Sequence, residues 1–291
     1  MKQIYLILLF LIPQSLKAQD DLMDMLKDST EVIYKSATFK ANRIINGHSV
    51  ETVGKKNLDF VISHRFDRLN NGFNEFFGLD AATIRLGLEY GLNDRLMIGI
   101  GRSSYQKVYD YFGKYRLFRQ TSNSEKIPLS LTLVSGYAIR TQKTSPSLSS
   151  FDRGSYFGQF LLARKFDAGF SLQVSPTLIH RNRPDAFYDS ETVFSTGFAG
   201  MYKISKRASI NGEYNYVLAN QIDDNYTNNF SLSLDLETGG HIFQLLFTNS
   251  FGMTERQFIT ETNGGWGKGD IHFGFNISRT FSFEKKNKNK W

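Results

Sequence analysis

The residues from which a metal or nucleophile site could be drawn are few: His48, His64, His180, His241 and His272, with no cysteine anywhere in the 291 residues. Without cysteine there is no disulfide, no thiolate metal site and no lipid-modified cysteine. The histidines stand singly, lacking the close spacing that brings two imidazoles onto one metal, so no cofactor or metal is called for. Ser63 and His64 are adjacent, and a hydrolase can carry Ser and His on a barrel wall. On a strand, however, neighbours face opposite sides, so these two cannot form a nucleophile–base pair directly, and no catalytic residue is assigned. Gly99-Ile100-Gly101 imitates a phosphate loop but continues a strand pattern and opens no helix.

What remains is charge. Asp59, Arg65, Arg85, Glu89, Arg95, Asp110, Lys114, Arg116, Glu213, Asp235 and Glu237 fall on the polar parity of alternating segments, where they could line a water-filled path. Their mixed signs fit internal ion pairs at least as well as a selectivity lining. Arg65, Arg85, Arg95, Lys114 and Arg116 cluster in the first four segments, with Glu89 as the nearest counter-ion for the arginines, which points to anion preference. The competing reading is that Asp59, Asp110 or the N-terminal segment neutralises them and the lumen is plugged.

The elements that must position these charges repeat from Asn57 to Phe283: about ten residues of alternating character closed by a turn, the span of a tilted membrane strand. In the last repeat Ile271, Phe273, Phe275, Ile277, Phe281 and Phe283 share one parity, while His272, Gly274, Asn276, Ser278, Thr280 and Ser282 share the other. Leu129, Leu131 and Leu133 likewise oppose Ser130 and Thr132, and Phe230, Leu232, Leu234 and Leu236 oppose Ser231, Ser233, Asp235 and Glu237. Ile84, Leu86 and Leu88 oppose Thr83, Arg85, Gly87 and Glu89. A soluble sandwich or lipocalin-like barrel would have to pair those charges in a dry core. A transmembrane barrel puts the apolar face to lipid and the polar face to a wet lumen. Leu131 is accordingly placed near mid-membrane and Thr132 on the lumen, so arginine should be costly at the first and much less so at the second.

Twelve strands account for the chain, with ten or fourteen as alternatives. Connections at 67–80, 141–154, 183–192, 220–228 and 252–269 are long, whereas those at 91–94, 121–126, 167–169, 205–207 and 238–240 are short, the asymmetry of an up-and-down outer-membrane barrel with both termini periplasmic. The connection near Ser104 to Gln106 should be long and is not. It marks either one very long strand pair or an error in the count.

Four regions follow. Residues 1–18, with Lys2, the apolar run Ile4 to Ile12 and Ala18, read as a cleaved secretory signal. Residues 19–56 form a periplasmic cap or partial plug, with a short helical pattern at Leu22, Met25 and Leu26, an extended piece from Thr38 to Ile45 and a turn at Asn46-Gly47; a disordered leader is the alternative. Residues 57–283 are the barrel and 284–291 a basic tail. The formal charge of +7 resides largely in leader and tail lysines, leaving the barrel nearly balanced, so nucleic acid is not a partner. Tyr90, Tyr109, Tyr111, Tyr115, Phe166, Tyr202, Tyr214 and Tyr216 fall near strand ends and read as interfacial girdles, as do His64 and His180.

Arg43 to Thr52, Ile62 to Phe66, Gly78 to Ser103 and Tyr111 to Gln120 resemble a β-barrel family of unknown function found in bacteroidete-type Gram-negative bacteria. The likeness runs from about residue 35 to the last strand. It implies an outer-membrane barrel and carries over no activity or binding residue.

The reading is therefore an outer-membrane channel or binding barrel for small solutes. A structural or partner-scaffolding protein comes next, and a lipid hydrolase is distant. The partners implied are outer-membrane lipid, the barrel assembly and export machinery, and a small solute, with no protein partner identified. A barrel of this width falls between filled eight-strand and open sixteen-strand examples, so its lumen could be open or closed.

Overall fold

Strict alternation is enough to build the wall. In the computed structural model, which describes residues 33–122, 127–185 and 189–284, the alternating runs are strands, each paired antiparallel with its neighbours in the chain. They are β1 Asn57–Arg68, β2 Ala82–Gly91, β3 Leu96–Ser103, β4 Val108–Phe118, β5 Ser130–Arg140, β6 Gly154–Lys165, β7 Phe170–Arg181, β8 Thr192–Lys203, β9 Ala208–Val217, β10 Asn229–Thr238, β11 His241–Thr248 and β12 His272–Ser282. β1 also pairs with β12, Asn57 opposite Ser282 and Arg65 opposite Gly274, so the sheet closes into a twelve-stranded barrel. Closure leaves no strand edge unpaired, the condition for strands to cross a bilayer.

The two faces divide as the alternation predicts. On β2, Ile84, Leu86 and Leu88 are 39%, 43% and 46% exposed, while Arg85 and Glu89 between them are 1% exposed. The same outward apolar band continues through Leu172 and Val174 on β7, Phe198 on β8, Leu232 on β10 and Phe247 on β11. Aromatics gather towards both ends of the band, with Tyr115, Phe166 and Tyr202 on the short-turn side and Tyr109, Tyr214 and Tyr216 on the long-loop side. His64 faces outward with them, stacked on Phe275 at 4.8 Å between ring centroids.

The short connection between β3 and β4 is real. A tight turn at Tyr105–Lys107 makes it, with Gln106 and Lys107 both at φ 51°. β3 has eight residues and β4 eleven, so no overlong strand pair is involved. Gln106 instead meets a loop folded into the barrel: its side-chain oxygen accepts from Gln257 Nε2 at 3.1 Å, and its Nε2 donates to Glu261 at 3.3 Å. That loop, between β11 and β12, carries the helix α1 (Glu255–Thr260), all six residues of which are buried.

The interior departs from a wet lumen. Val53, Met97, Phe112, Val134, Phe157, Leu161, Ile179, Val193, Val217, Phe258 and Ile259 form one apolar cluster inside the barrel, and Phe39, Ile44, Ile45 and Val50 join a second with Ala163, Ala199, Met201 and Leu246. Two inward glycines make room for the largest rings: a Cβ on Gly99 would lie 2.3 Å from Phe112, and one on Gly136 would lie 2.3 Å from Phe157. Of the open and closed lumens the sequence allows, the closed one is found. Inward strand side chains and residues from outside the strands fill it together. The leader, the Leu22-Met25-Leu26 pattern and the tail beyond Glu284 lie outside the described residues.

Candidate functional site

The filling begins with the segment before β1, which enters at the short-turn rim. Asn46-Gly47 is a turn-forming dipeptide with β-branched residues before it. Around it, Arg43 bridges His48 antiparallel, Ile44 N–H donates to Gly47 O at 2.9 Å and Ser49 N–H donates to Asn42 O at 2.9 Å. The result is a small hairpin. At its tip the backbone N–H groups of Ile45, Asn46 and Gly47 converge on the Glu213 carboxylate of β9 at 3.2, 3.1 and 3.0 Å. Successive N–H groups aimed at one point make an anion-binding nest, and here a wall carboxylate fills it.

The wall also grips the hairpin's carbonyls. Gln244 donates to Ile44 O at 2.7 Å, Asn276 to Ile45 O at 2.9 Å, Gln173 to His48 O at 2.8 Å and Thr132 to Val50 O at 2.8 Å. Lys114 Nζ donates to both Asn42 O, at 3.0 Å, and Glu51 O, at 2.6 Å. These hairpin carbonyls thus find wall partners.

The charged residues read from the sequence occupy distinct places. Arg65 and Arg85 are inside, but Arg85 pairs with Asp110 of β4, its Nε 2.9 Å from the carboxylate, and not with Glu89. Arg65 is held by amides, donating to Asn46 Oδ1 at 2.9 Å and Asn276 Oδ1 at 3.0 Å. Glu89 faces Arg43 of the hairpin, 3.8 Å from its Nε. Asp235 is buried and accepts from Ser233 at 2.8 Å and Gln244 at 2.9 Å. Arg116 is half-buried at the rim, 3.5 Å from Glu51, and Glu237, exposed at the same rim, receives Lys40 at 2.7 Å. Arg95 is corrected: it lies in the exposed turn between β2 and β3 and not on the lumen wall. Of the two readings of the arginines, the arrangement follows the competing one: Asp110, the amides and the hairpin occupy the guanidiniums that an anion path would need.

A second body enters from the long-loop rim. α1 is capped by Thr254 and Gln257, the reciprocal side-chain pattern that closes a helix N-terminus. Its Phe258 and Ile259 are fully buried in the first apolar cluster. Arg256 of the helix joins Arg140, Asp185 and Glu261 in an ion-pair network that ties the loop to the ends of the strands.

The two bodies meet at Glu255. Its carboxylate lies 3.1 Å from Arg43 Nη1 and 3.2 Å from His48 Nε2, both on the hairpin. His48 also packs on Phe112, 4.5 Å between centroids, and on Phe157 at 6.1 Å. Burial, then the Arg43 guanidinium, push His48 down to about 3, against the pull of Glu255, while Lys114 adds to the lowering. Burial alone would raise Glu255, but Arg43 and His48 outweigh it and hold the carboxyl below its usual range. Between this contact and the wall, the enclosed spaces are about 20 Å³ beside Asp59 and Glu89 and about 10 Å³ beside Gln159 and Gln173. Each is about the size of one water.

One pH dependence follows. The docked His48 is neutral, so above its ordinary value of 6.5 docking is at full strength. Below that, the undocked imidazole takes a proton that the docked one refuses until about 3, and docking weakens. Glu255 acts in the same direction, its contribution being lost as pH falls through its lowered value. Limited proteolysis within the hairpin should therefore accelerate as pH drops from 7 to 5, and His48→Phe should flatten that profile. A rate independent of pH in the parent would contradict it.

A family model described as "Membrane bound beta barrel domain (DUF5777)" matches residues 39–281, from inside the hairpin to the end of β12. No curated protein matches the chain. Among solved structures, the NanC porin is similar with 9% identity and a TM-score of 0.48, covering 78% of this chain and 99% of that one. The KdgM porin follows with 8% identity and a TM-score of 0.43 over the same shares. Outer membrane phospholipase A from Escherichia coli shows 12% identity and a TM-score of 0.42 over 76% of this chain and 89% of that one.

Proposed function

The chain belongs to the family of membrane-bound β-barrel domains DUF5777, and from that premise we propose that it is a non-enzymatic, gated outer-membrane channel for small polar solutes, closed from the periplasmic rim by the 36–53 hairpin and from the outer rim by the α1 loop. The observation that carries this reading is the chemistry of the surface under the hairpin. Thr132, Gln173, Glu213, Ser231, Gln244 and Asn276 hold it through hydrogen bonds, groups that water satisfies equally well once the hairpin leaves. Apolar contacts with Ala163, Ala199, Met201 and Leu246 add to the docked state, but a wall this rich in hydrogen-bonding groups stays solvated when the hairpin leaves, which suits a removable filling.

The absence of native cysteine gives a clean test. Asn46 Nδ2 donates to Ser231 Oγ at 2.9 Å. Asn46→Cys and Ser231→Cys joined by a short cleavable thiol crosslinker should give a silent barrel in a planar bilayer, and cleavage should restore openings. Identical silent records before and after cleavage, from protein whose folding is verified by heat-modifiable gel mobility, would overturn the proposal.

A further inference from the structure

An apolar groove lies on the outside of the barrel. It measures about 590 Å³, runs across the outer faces of β1 to β6, and is walled by Leu58, Leu88, Ile98 and Ile100 on one side and Tyr137 and Tyr156 on the other. Ligand clefts have volumes of roughly 300–1,000 Å³, so this one is large enough for an organic molecule. Neither the hairpin nor α1 touches it.

Ile98 and Ser135, which line it, belong to one cross-strand row in which the positions beside Ser135 are glycines. Gly113 pairs with Ser135, and Ser135 with Gly158, across β4, β5 and β6. Nothing in the protein requires glycine there. A Cβ added to Gly113 or Gly158 would meet no atom within 4 Å, and neither residue has a positive φ. Ser135 turns its hydroxyl onto Phe157 O at 3.2 Å, leaving no free polar group in that row. The row directly above is Tyr111, Tyr137 and Tyr156, paired across the same strands, with the Tyr137 and Tyr156 rings 4.9 Å apart.

At the long-loop end of the trough stands a cation. Arg102 follows Ile100 by two residues on the same outward face of β3, about 7 Å further along the strand. Its guanidinium lies over the Tyr109 ring, 4.9 Å from the centroid, and donates to Ser103 O. It has no carboxylate partner among the described residues. Arginine at the headgroup level with unused donors suits phosphate, which it meets bidentately.

We propose that this face is a specific lipid site. One phosphate-bearing membrane lipid of the long-loop leaflet places its headgroup phosphate on Arg102 and lays an acyl chain in the trough over Gly113, Ser135 and Gly158. Because the hydrogen-bonded rows of a tilted barrel run obliquely through the bilayer, the trough leads the chain from headgroup level towards the membrane interior. The site is independent of whether the lumen opens.

The test uses the full chain reconstituted into vesicles containing phosphatidylglycerol, re-extracted into mild detergent and weighed intact by native mass spectrometry. The parent should retain a stoichiometric phosphatidylglycerol. Gly113→Leu, which fills the trough with a side chain the outer face can accommodate, should lose it while keeping heat-modifiable mobility; Gly158→Leu serves as the second filler. Arg102→Ser should lower retention by about tenfold, the effect of losing a charge-assisted hydrogen bond. Lipid-free parent protein, equal retention in all variants, or a mass showing two copies of this chain in place of lipid would overturn the proposal.

Discussion

Glu213→Ala should turn a mostly closed barrel into a conducting one. The substitution removes the acceptor for three backbone N–H groups at the hairpin tip, at Ile45, Asn46 and Gly47, without touching the outward face of β9. A buried donor left without a partner costs about 1–3 kcal/mol, so three of them destabilise the docked hairpin by roughly 3 kcal/mol at the low end of that range. At about 1.4 kcal/mol per factor of ten, the closed-to-open ratio falls on the order of a hundredfold. The undocked state suffers no such loss, because water meets those donors once the hairpin is free. Glu213→Gln keeps one acceptor oxygen and should open the barrel less. Single-channel recording reads both ratios. Unchanged closure in Glu213→Ala, with folded protein, would mean that the hairpin is held by its apolar contacts and α1, and the carboxylate nest would then be incidental to gating.

That the nest was invisible in the sequence has a physical reason. The barrel wall could be read because lipid and lumen sort side chains by type at a period of two, as on β2, where Ile84, Leu86 and Leu88 are exposed and Arg85 and Glu89 buried. The rim asymmetry was readable from connection lengths, including the turn at Tyr105–Lys107 that breaks it. The hairpin is recognised mainly through its backbone, and backbone groups are the same in every residue. A wall residue such as Gln244, bonded to Ile44 O, reads from the sequence as a lumen-facing amide whether it meets water or a plug. Two signals are present: Asn46-Gly47 as a turn, and the Thr254 to Gln257 spacing of a helix cap inside the long 252–269 connection. Neither says where the element docks. Charge pairing stays open between two candidates for a related reason: parity places Arg85 inside with both Glu89 and Asp110 in reach, and only the fold supplies the register that selects Asp110.

Depth in the bilayer is a further quantity that alternation alone leaves open, and it sets the other large expected effect. Leu131 shares the outward parity but is the second residue of β5, paired with Leu162 and beside the short-turn rim. That place on the strand sets it towards the rim, whereas the sequence reading has it near mid-membrane. Phe198 is the better probe: seventh of the twelve residues of β8, 48% exposed, with Val174 and Tyr214 as its cross-strand neighbours. An arginine on the lipid face costs about 2–4 kcal/mol at the midplane and about 0–1 near an interface. Phe198→Arg should therefore lose most of its refolding yield into lipid vesicles, whereas Leu131→Arg should refold nearly as well as the parent, its guanidinium reaching the rim. Thr132→Arg belongs to a different class. Thr132 is fully buried and bonded to Val50 O at 2.8 Å, so a larger side chain there has to displace the hairpin, and the expected product is a folded barrel that conducts. Denaturant titration of the refolded proteins separates the three. Equal losses for Phe198→Arg and Leu131→Arg would show that the apolar band sits at a different height on the barrel from the one the strand positions imply, and the assignment of the short-turn residues to the interface would fall with it.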